Sequence, residues 1–421
     1  MTANIIEIDT LIVGAGQAGI AMSEHLSKLE IPHLILEKNR VAEAWRSGRW
    51  DSLVANGPAW HDRFPGMLFP DADQDSFVPK DKVADYFNEY VNHFNLPVKT
   101  GVEVLSVVKN DQTSGFTVTT SEGVYKIQHL VSATGPFQTP IIPAIVPTVE
   151  DLHQIHSAAY RNPESLPEGG IMVVGAGSSG VQIADELQRA GRDVYLSVGP
   201  HDRPPRSYRG RDFVWWLGVL GLWDAAATEP GKEHVTIAVS GAHGGKTIDF
   251  RELAAQGLNL VGRTASFEGH TVTFSNDLAD NIRAGDENYL SLLSRADDYI
   301  LANGLDLPEE PEAHNLLPDP DCMTHPTFTL DLKEAGINTI IWATGYATDY
   351  SWLKVDAFDE NNQPKHHRGV SSEQGIYFLG LPWLSRRGSS FIWGVWHDAK
   401  YIADQINIQR QYQQYETTQE A

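Results

Sequence analysis

Residues 8–19 read IDTLIVGAGQAG, an apolar run of strand length followed at once by a glycine-rich turn. Apolar residues then recur at helical spacing over 18–29, and residues 33–37 (HLILE) again have the character of a strand. Glycines in such a turn let backbone N–H groups approach a pyrophosphate at the N-terminus of the helix. Glu37 ends the second strand 23 residues after Gly14, where a carboxylate accepts a hydrogen bond from a ribose hydroxyl. The stretch therefore predicts a strand–helix–strand unit that binds a dinucleotide.

The same pattern returns 161 residues further along the chain, counted from Gly14 to Gly175. Residues 171–180 read IMVVGAGSSG, a helical face follows, and residues 193–198 (DVYLSV) have the character of the second strand. Unlike the first copy, this strand ends without a carboxylate that would contact a ribose. A repeat of one supersecondary unit at this distance predicts two dinucleotide-binding domains.

Four arginines follow the last strand of the second unit within nine residues: Arg203, Arg206, Arg209 and Arg211. Guanidinium groups at this place suit a phosphate on the adenosine ribose. The first site is therefore predicted to hold FAD and the second NADPH, with NADH left open as the second possible coenzyme. A solvated basic loop is the competing structural interpretation of the same four residues.

Composition narrows the class of protein further. The 421 residues carry 32 basic and 55 acidic side chains, a net charge of −23, which argues against nucleic acid or an anionic membrane as a partner. Cys322 is the only cysteine, so a dithiol–disulfide mechanism is excluded. The first basic residue is Lys28, and the longest apolar run, 213–223, is too short to span a bilayer. We therefore expect no membrane span and a reducing, cytoplasmic compartment.

Two further segments share a pattern, SATGP at 132–136 and IIWATGY at 340–346. Together with the two glycine-rich turns they resemble the flavin-containing monooxygenase family, the class B flavoprotein monooxygenases and their bacterial relatives, over roughly residues 8–406. The expected fold class is α/β with two Rossmann-like dinucleotide-binding domains. The FAD domain is predicted to be discontinuous, residues 1–165 and 330–421, with the NADPH domain at 166–329 inserted in it.

The resemblance implies a reaction as well as a fold. NADPH would deliver hydride to FAD, and the reduced flavin would react with O2 to give a C4a-hydroperoxide that oxygenates a small lipophilic substrate. Sulfur, nitrogen or an electron-rich aromatic such as indole is the expected site of oxygenation. The loop 45–58 is similar to the flavin-side loop of that family, in which Asn56 would help to hold the oxygen adduct. A homodimer is a family-level expectation only.

Asn56 is the predicted catalytic residue. The predicted cofactor-binding residues are Gly14, Gly16, Gln17, Ala18, Gly19, Glu37, Lys38, Trp45, Arg46, Val104, Thr134, Gly135, Gly175, Gly177, Ser178, Ser179, Gly180, Arg203, Arg206, Thr344, Gly345, Ser390 and Phe391. No metal site is predicted, because the histidines lack carboxylate–histidine patterns with ligand spacing.

The type of reaction stays open at this point. The family motif FxGxxxHxxx followed by an aromatic residue is matched by His156 and Tyr160, but Glu150 and Leu152 stand at its Phe and Gly positions. This departure favours heteroatom oxygenation over Baeyer–Villiger conversion of ketones. The two glycine-rich turns alone would also be compatible with an NAD(P)H-dependent FAD reductase or with a non-catalytic module that only holds a flavin.

Two segments have predictions that do not depend on the reaction. The aromatic run 213–223 either lines a substrate pocket or packs as core, and core is the commoner role of such runs. A long amphipathic helix is predicted to end near Ile406, and the glutamine-rich residues from Gln409 onward are predicted to be disordered.

Overall fold

The computed structural model describes residues 5–147, 149–226 and 237–419. The strands are β1 Ile5–Val13, β2 His33–Glu37, β3 Val98–Thr100, β4 Val104–Lys109, β5 Phe116–Thr120, β6 Gly123–Ser132, β7 Thr139–Pro140, β8 His153–His156, β9 Gly170–Val174, β10 Val194–Ser197, β11 Ser207–Tyr208, β12 Arg211–Asp212, β13 Asn259–Val261, β14 Thr264–Glu268, β15 Thr271–Phe274, β16 Thr329–Asp331, β17 Ile337–Trp342, β18 Tyr346–Ala347, β19 Leu353–Lys354, β20 His366–His367, β21 Val370–Ser371 and β22 Ile376–Phe378. The α-helices are α1 Gln17–Lys28, α2 Glu43–Arg46, α3 Lys80–His93, α4 Ser178–Arg189, α5 Phe213–Val219, α6 Phe250–Ala255, α7 Leu278–Asn303, α8 Asp321–Thr324 and α9 Ile392–Gln419.

The first sheet has the strand order β19-β4-β5-β6-β1-β2-β3, with β22 also paired to β6. Its centre is parallel: β1 pairs with β2 on one side and with β6 on the other. The inner residues of β1 are fully buried because helices cover both faces of a parallel sheet. This sheet therefore holds the first glycine-rich turn, at the end of β1.

The second sheet has the order β13-β10-β9-β17-β8, and every pairing in it is parallel. All five residues of its central strand β9 are buried. The apolar run at 171–174 therefore became a central strand, as its composition predicted. The second glycine-rich turn follows at its carboxyl end. Two Rossmann-like units in one α/β chain confirm the predicted fold class.

Sheet membership corrects the predicted domain limits. Strand β8 (153–156) precedes the predicted boundary at 165/166, yet it lies in the second sheet. Strand β17 (337–342) follows the predicted boundary at 329/330, yet it lies there too. We propose that the crossings fall within 137–152 and just after 343, where β7 and β18 pair with each other. The second unit is still an insertion, because strands of the first sheet precede and follow it in the chain.

The glycines of the two turns have the packing that their spacing predicts. Gly14 and Gly175 have φ angles of +106° and +110°, a region that favours glycine. A Cβ at Gly19 would lie 1.9 Å from the Gly14 carbonyl oxygen, and one at Gly180 would lie 1.8 Å from that of Gly175. Only glycine lets the first turn of each helix come this close to the strand before it.

The C-terminal helix and the aromatic run differ in how well the sequence predicted them. Helix α9 continues to Gln419, so the prediction of disorder from Gln409 onward was wrong for the described part of that segment. In the aromatic run, Trp216 is buried beside Tyr208, Leu293 and Ala296, which is the core role. At the other end of the run, Trp223 packs in a separate cluster that includes Trp393 at the start of α9.

Candidate active site between two dinucleotide sites

The N-terminus of α1 is open to an anionic ligand. Its N-cap residue, Gly16, makes no side-chain capping hydrogen bond, and a Cβ at Gly16 would meet nothing within 4 Å. Ala18 and Gly19 follow in the first turn, where N–H groups have no partner within the helix. A diphosphate is the kind of group that such a helix end binds.

The Glu37 carboxylate stands beside this turn. Its Oε2 accepts a hydrogen bond from the Ala15 N–H at 2.8 Å, and its Oε1 accepts one from the Asn39 N–H at 2.8 Å. Each oxygen keeps a second acceptor position, so the carboxylate is fixed while it remains able to accept ribose hydroxyls. The Val102 N–H donates to the Glu37 carbonyl at 3.0 Å, which brings the start of β4 at Val104 to this end, and Lys38 is exposed. These contacts fit the adenosine part of FAD.

Two predicted residues, Trp45 and Ser390, contact the side chain of Gln17. Its Nε2 donates to the Ser390 carbonyl at 2.8 Å, and Trp45 Nε1 donates to its Oε1 at 3.4 Å. Phe391 follows Ser390 and is the last residue before α9, and its side chain is 40% exposed. Arg46, in contrast, forms an ion pair with Asp85 at 3.1 Å, so this structure engages its guanidinium elsewhere.

The second dinucleotide site repeats the first. Helix α4 begins at Ser178 after Gly177, which makes no side-chain capping hydrogen bond. The Ser178 hydroxyl donates to the Ile237 carbonyl at 2.7 Å, and Ser179 is half-buried beside it. Like α1, helix α4 thus begins without a side-chain cap, and its N-terminus fits the diphosphate of a nicotinamide coenzyme.

Asn56 lies where the two units meet. Its Oδ1 accepts a hydrogen bond from Gln182 Nε2 of α4 at 3.0 Å, and its backbone carbonyl accepts one from Arg206 Nη1 at 2.6 Å. Gln182 also donates to the Val239 carbonyl at 2.6 Å. The second unit therefore orients the Asn56 side chain, a contact across 126 positions of sequence that no local pattern predicted.

Arg203 and Arg206 are placed differently from the exposed phosphate-binding cluster that their spacing predicted. Arg203 is 2% exposed and pairs with Asp286 at 3.0 Å and with Asp249 at 3.5 Å. Arg206 is 4% exposed and pairs with Asp212 at 2.5 Å. Their guanidinium groups are occupied by carboxylates of the chain itself. This geometry gives them structural roles and corrects the prediction that they face the coenzyme.

Another arginine lies where the adenosine ribose of the second site is expected. The side-chain carbons of Arg263, just past β13, come within 3.3 Å of where a Cβ at Gly199 would stand. Gly199 follows the end of β10, the strand whose end faces the ribose in such folds. Arg263 is 60% exposed, and its Nε donates to Asp277 at 2.6 Å. Neither of its terminal amino groups has a hydrogen-bond acceptor among the described residues.

An aromatic cluster packs against the loop after Asn56, and its polar member was not predicted from the sequence. The His61 ring is stacked on Trp223 and Trp393, with centroid distances of 5.3 and 5.8 Å. His61 Nδ1 lies 2.8 Å from Asp62 Oδ1, while the other Asp62 oxygen accepts from the Gly57 N–H at 3.0 Å. The adjacent His-Asp pair, which begins three residues after the Asn-Gly-Pro turn, was the available signal.

The two ATG segments lie at the crossings between the units. Gln138 Nε2 donates to the Thr134 hydroxyl at 2.9 Å and to the Gly135 carbonyl at 2.7 Å. In the second segment the Thr344 hydroxyl donates to the Ile141 carbonyl at 2.5 Å. His156 Nε2 lies 3.0 Å from the Gly345 carbonyl, which agrees with a structural role for His156 at the hinge.

Comparison with known proteins agrees with this arrangement. A family profile described as pyridine nucleotide-disulphide oxidoreductase matches residues 11–209. The chain is 34% identical over 404 residues to an uncharacterized CzcO-like oxidoreductase of Geobacillus kaustophilus, covering 95% of this chain and 98% of the relative. It is 31% identical over 419 residues to YUCCA9 of Arabidopsis thaliana, a probable indole-3-pyruvate monooxygenase, covering 95% of this chain and 89% of that protein. The chain belongs to the flavin-containing monooxygenase family.

The fold comparison is consistent with that membership. The flavin-containing monooxygenase of Stenotrophomonas maltophilia has a TM-score of 0.66 to this chain at 18% identity, covering 96% of this chain and 99% of that one. As a member of the family, the chain is a flavin-dependent oxidoreductase that uses FAD and NADPH. Within the described ranges, no three potential metal ligands cluster together, and no helix combines the length and apolar character that a bilayer span requires.

Proposed function

We propose that this flavin-containing monooxygenase homologue oxygenates a small lipophilic substrate, at sulfur, at nitrogen or at an electron-rich aromatic carbon. The observation that carries the proposal is the position of Asn56. Its side chain is held from the second unit by Gln182, at 3.0 Å, while its own loop packs beside the start of α9. An amide at this place would help to orient a bound flavin and a bound nicotinamide relative to each other.

FAD, when bound, supplies the redox chemistry, and the protein supplies binding, orientation and exclusion of water. Glu37 holds the ribose, and the open turn of α1 holds the diphosphate. The Asn56 amide retains its Nδ2 donor, because Gln182 engages only its Oδ1. We assign to that donor the stabilisation of negative charge that develops beside it during oxygen transfer.

The aromatic cluster supports an apolar substrate. Trp223 contacts Phe391 with ring centroids 5.1 Å apart and stacks on His61 from the other side. Next to a bound flavin, such a cluster would keep water away and favour an apolar or aromatic substrate over a polar one. Product analysis distinguishes the proposed reaction from Baeyer–Villiger conversion of ketones and from electron transfer to another acceptor.

Replacing Asn56 by alanine is expected to leave FAD bound but to uncouple NADPH oxidation from oxygenation. Loss of a hydrogen bond to a charged group costs about 1.5–3 kcal/mol, which corresponds to roughly 10- to 100-fold in the rate ratio of productive to wasteful decay. The measurement is hydrogen peroxide formed per NADPH oxidised, with a thioether substrate present. Asn303→Ala, an exposed asparagine at the end of α7, serves as the matched control. Equal coupling in both variants would remove Asn56 from the mechanism.

We further propose that Arg263 selects the coenzyme through the phosphate on its adenosine ribose. Arg263→Gln is expected to raise the NADPH KM about tenfold while leaving the NADH KM unchanged, because an arginine–phosphate pair contributes about 1.5–3 kcal/mol. Arg211→Gln, which removes an exposed arginine stacked on Trp215, is the control and should change neither constant. A parallel rise of both constants in Arg263→Gln would refute the assignment.

A further inference from the structure

Arg49 lies where the two crossing segments meet. Its guanidinium carbon is 4.5 Å from the ring centroid of Phe137, which follows the first ATG segment. The Phe137 ring contacts that of Tyr346, which follows the second ATG segment, with centroids 5.2 Å apart. The next residue along from Arg49, Trp50, is buried in the core of the second unit. Arg49 therefore lies beside the two crossing segments and next to a core residue of the second unit.

The guanidinium of Arg49 has no carboxylate to balance it. Within the described ranges no Asp or Glu oxygen lies within 4.0 Å of it, whereas Arg203, Arg206 and Arg209 each have such a partner. Arg49 is half-buried. Burial of its guanidinium lowers the pKa, whereas the nearby Tyr346 hydroxyl raises it. The Arg49 guanidinium is therefore closely surrounded by protein, while part of the residue stays open to solvent. An unpaired charge in such a place is costly unless a ligand neutralises it.

The surroundings of Arg49 favour a ligand with an apolar or planar part next to its negative charge. Phe137 is 56% exposed although it is aromatic, and Ile141 and Ile142 nearby in the chain are 41% and 48% exposed. Gly135 and Gly345 have φ angles of +75° and +84°, and a Cβ at either would meet nothing within 4 Å. Exposed apolar side chains beside open backbone at a domain crossing are typical of a binding cleft.

We propose that Arg49 binds an oxyanion in this cleft between the two units. The chemistry it recognises is a phosphate or carboxylate, because the N–H groups of a planar guanidinium pair with either. Two sources provide such a group in the reaction proposed above, on which this inference rests: the diphosphate of the nicotinamide coenzyme and a carboxylate carried by the substrate. Stacking on Phe137 alone would hold the side chain, but it would leave the charge unneutralised.

Binding of small anions to the FAD-loaded protein tests the proposal without any oxygenation. Inorganic pyrophosphate and benzoate are titrated separately, and the melting temperature of the holoprotein is followed. At least one of them is expected to raise the melting temperature of the unsubstituted protein and of Arg295→Gln, which removes an exposed arginine on α7. Arg49→Gln should reduce that apparent affinity at least tenfold, and Arg49→Lys should restore part of it. An equal response in Arg49→Gln, or no response of the unsubstituted protein to either anion, overturns the proposal.

A second readout separates the two sources. The Kd for NADPH is taken from the dependence of the anaerobic flavin reduction rate on NADPH concentration. A rise of about tenfold in Arg49→Gln assigns the site to the coenzyme diphosphate. An unchanged NADPH Kd together with lost benzoate binding assigns it to a substrate carboxylate. Neither readout requires oxygen transfer, so a failure of the proposed monooxygenase activity would leave the Arg49 result intact.

Discussion

Replacing Arg203 by alanine is expected to destabilise the second unit by about 3 kcal/mol, because it removes one of the two arginines that neutralise the buried Asp286 carboxylate. The side chain is 2% exposed, and its Nε and Nη2 both donate to Asp286, at 3.1 and 3.0 Å. Arg251 pairs with the other oxygen of the same carboxylate. The network joins the loop after β10 to α6 and α7, so its loss affects packing well beyond one side chain.

Urea denaturation followed by tryptophan fluorescence measures this effect. Arg283→Ala is the matched control: its side chain is 54% exposed and reaches Asp319 at 3.3 Å, so its loss should cost at most about 1 kcal/mol. Folded Arg203→Ala protein should still bind NADPH with an affinity close to that of the unsubstituted protein. A variant that keeps its full stability but loses NADPH selectively would restore the phosphate-binding role predicted from the sequence.

Substitutions in the glycine-rich segment 14–19 have the second large expected effect. Alanine should impair folding at one position of this segment and FAD binding at another. A Cβ at Gly19 would lie 1.9 Å from a backbone oxygen, so Gly19→Ala is expected to cost about 3 kcal/mol or more and to yield little folded protein. Gly16 faces open space, so Gly16→Ala should fold. Because the second glycine of the motif lets the diphosphate approach the backbone, this variant should lose FAD affinity about tenfold or more.

Bound flavin per folded protein, measured by absorbance, distinguishes the two results. Gly218→Ala in α5 is the control, since a Cβ there would meet nothing within 4 Å and the residue is helical. A yellow, stable Gly19→Ala protein would show that the close approach of α1 to β1 is not required. Full FAD content in Gly16→Ala would place the diphosphate elsewhere.

Much of this architecture was predictable from local patterns. The two strand–turn–helix units, Glu37 at the end of β2 and the ATG segments at the crossings all depend on spacing within about 30 residues, which the sequence displays directly. The domain limits were less accurate, because β8 and β17 are short apolar segments whose sheet membership depends on pairing partners far along the chain.

The site residues that escaped prediction depend on long-range contacts. Gln182 reaches Asn56 across 126 positions, and Arg263 reaches the ribose position because β13 lies beside β10 in the sheet. The arginines after β10 illustrate the converse. Their count predicted a basic cluster, but the acidic partners of Arg203 and Arg209 come from α7, and no spacing rule pairs residues so far apart. The proposed role of Arg49 depends on its three-dimensional surroundings, because no carboxylate oxygen of the described residues lies within 4.0 Å of its guanidinium.

Reoxidation of the reduced enzyme distinguishes a monooxygenase from a flavin reductase. Purified protein is reduced anaerobically with NADPH and mixed with oxygenated buffer without substrate, while flavin absorbance and hydrogen peroxide are followed. In the unsubstituted protein we expect oxidised flavin to return well after oxygen is consumed, and in Asn56→Ala we expect it to return early, with release of peroxide. Immediate return of oxidised flavin with one peroxide per flavin in both proteins, unaltered when thioether, amine and indole substrates are added, would contradict the proposed monooxygenase function.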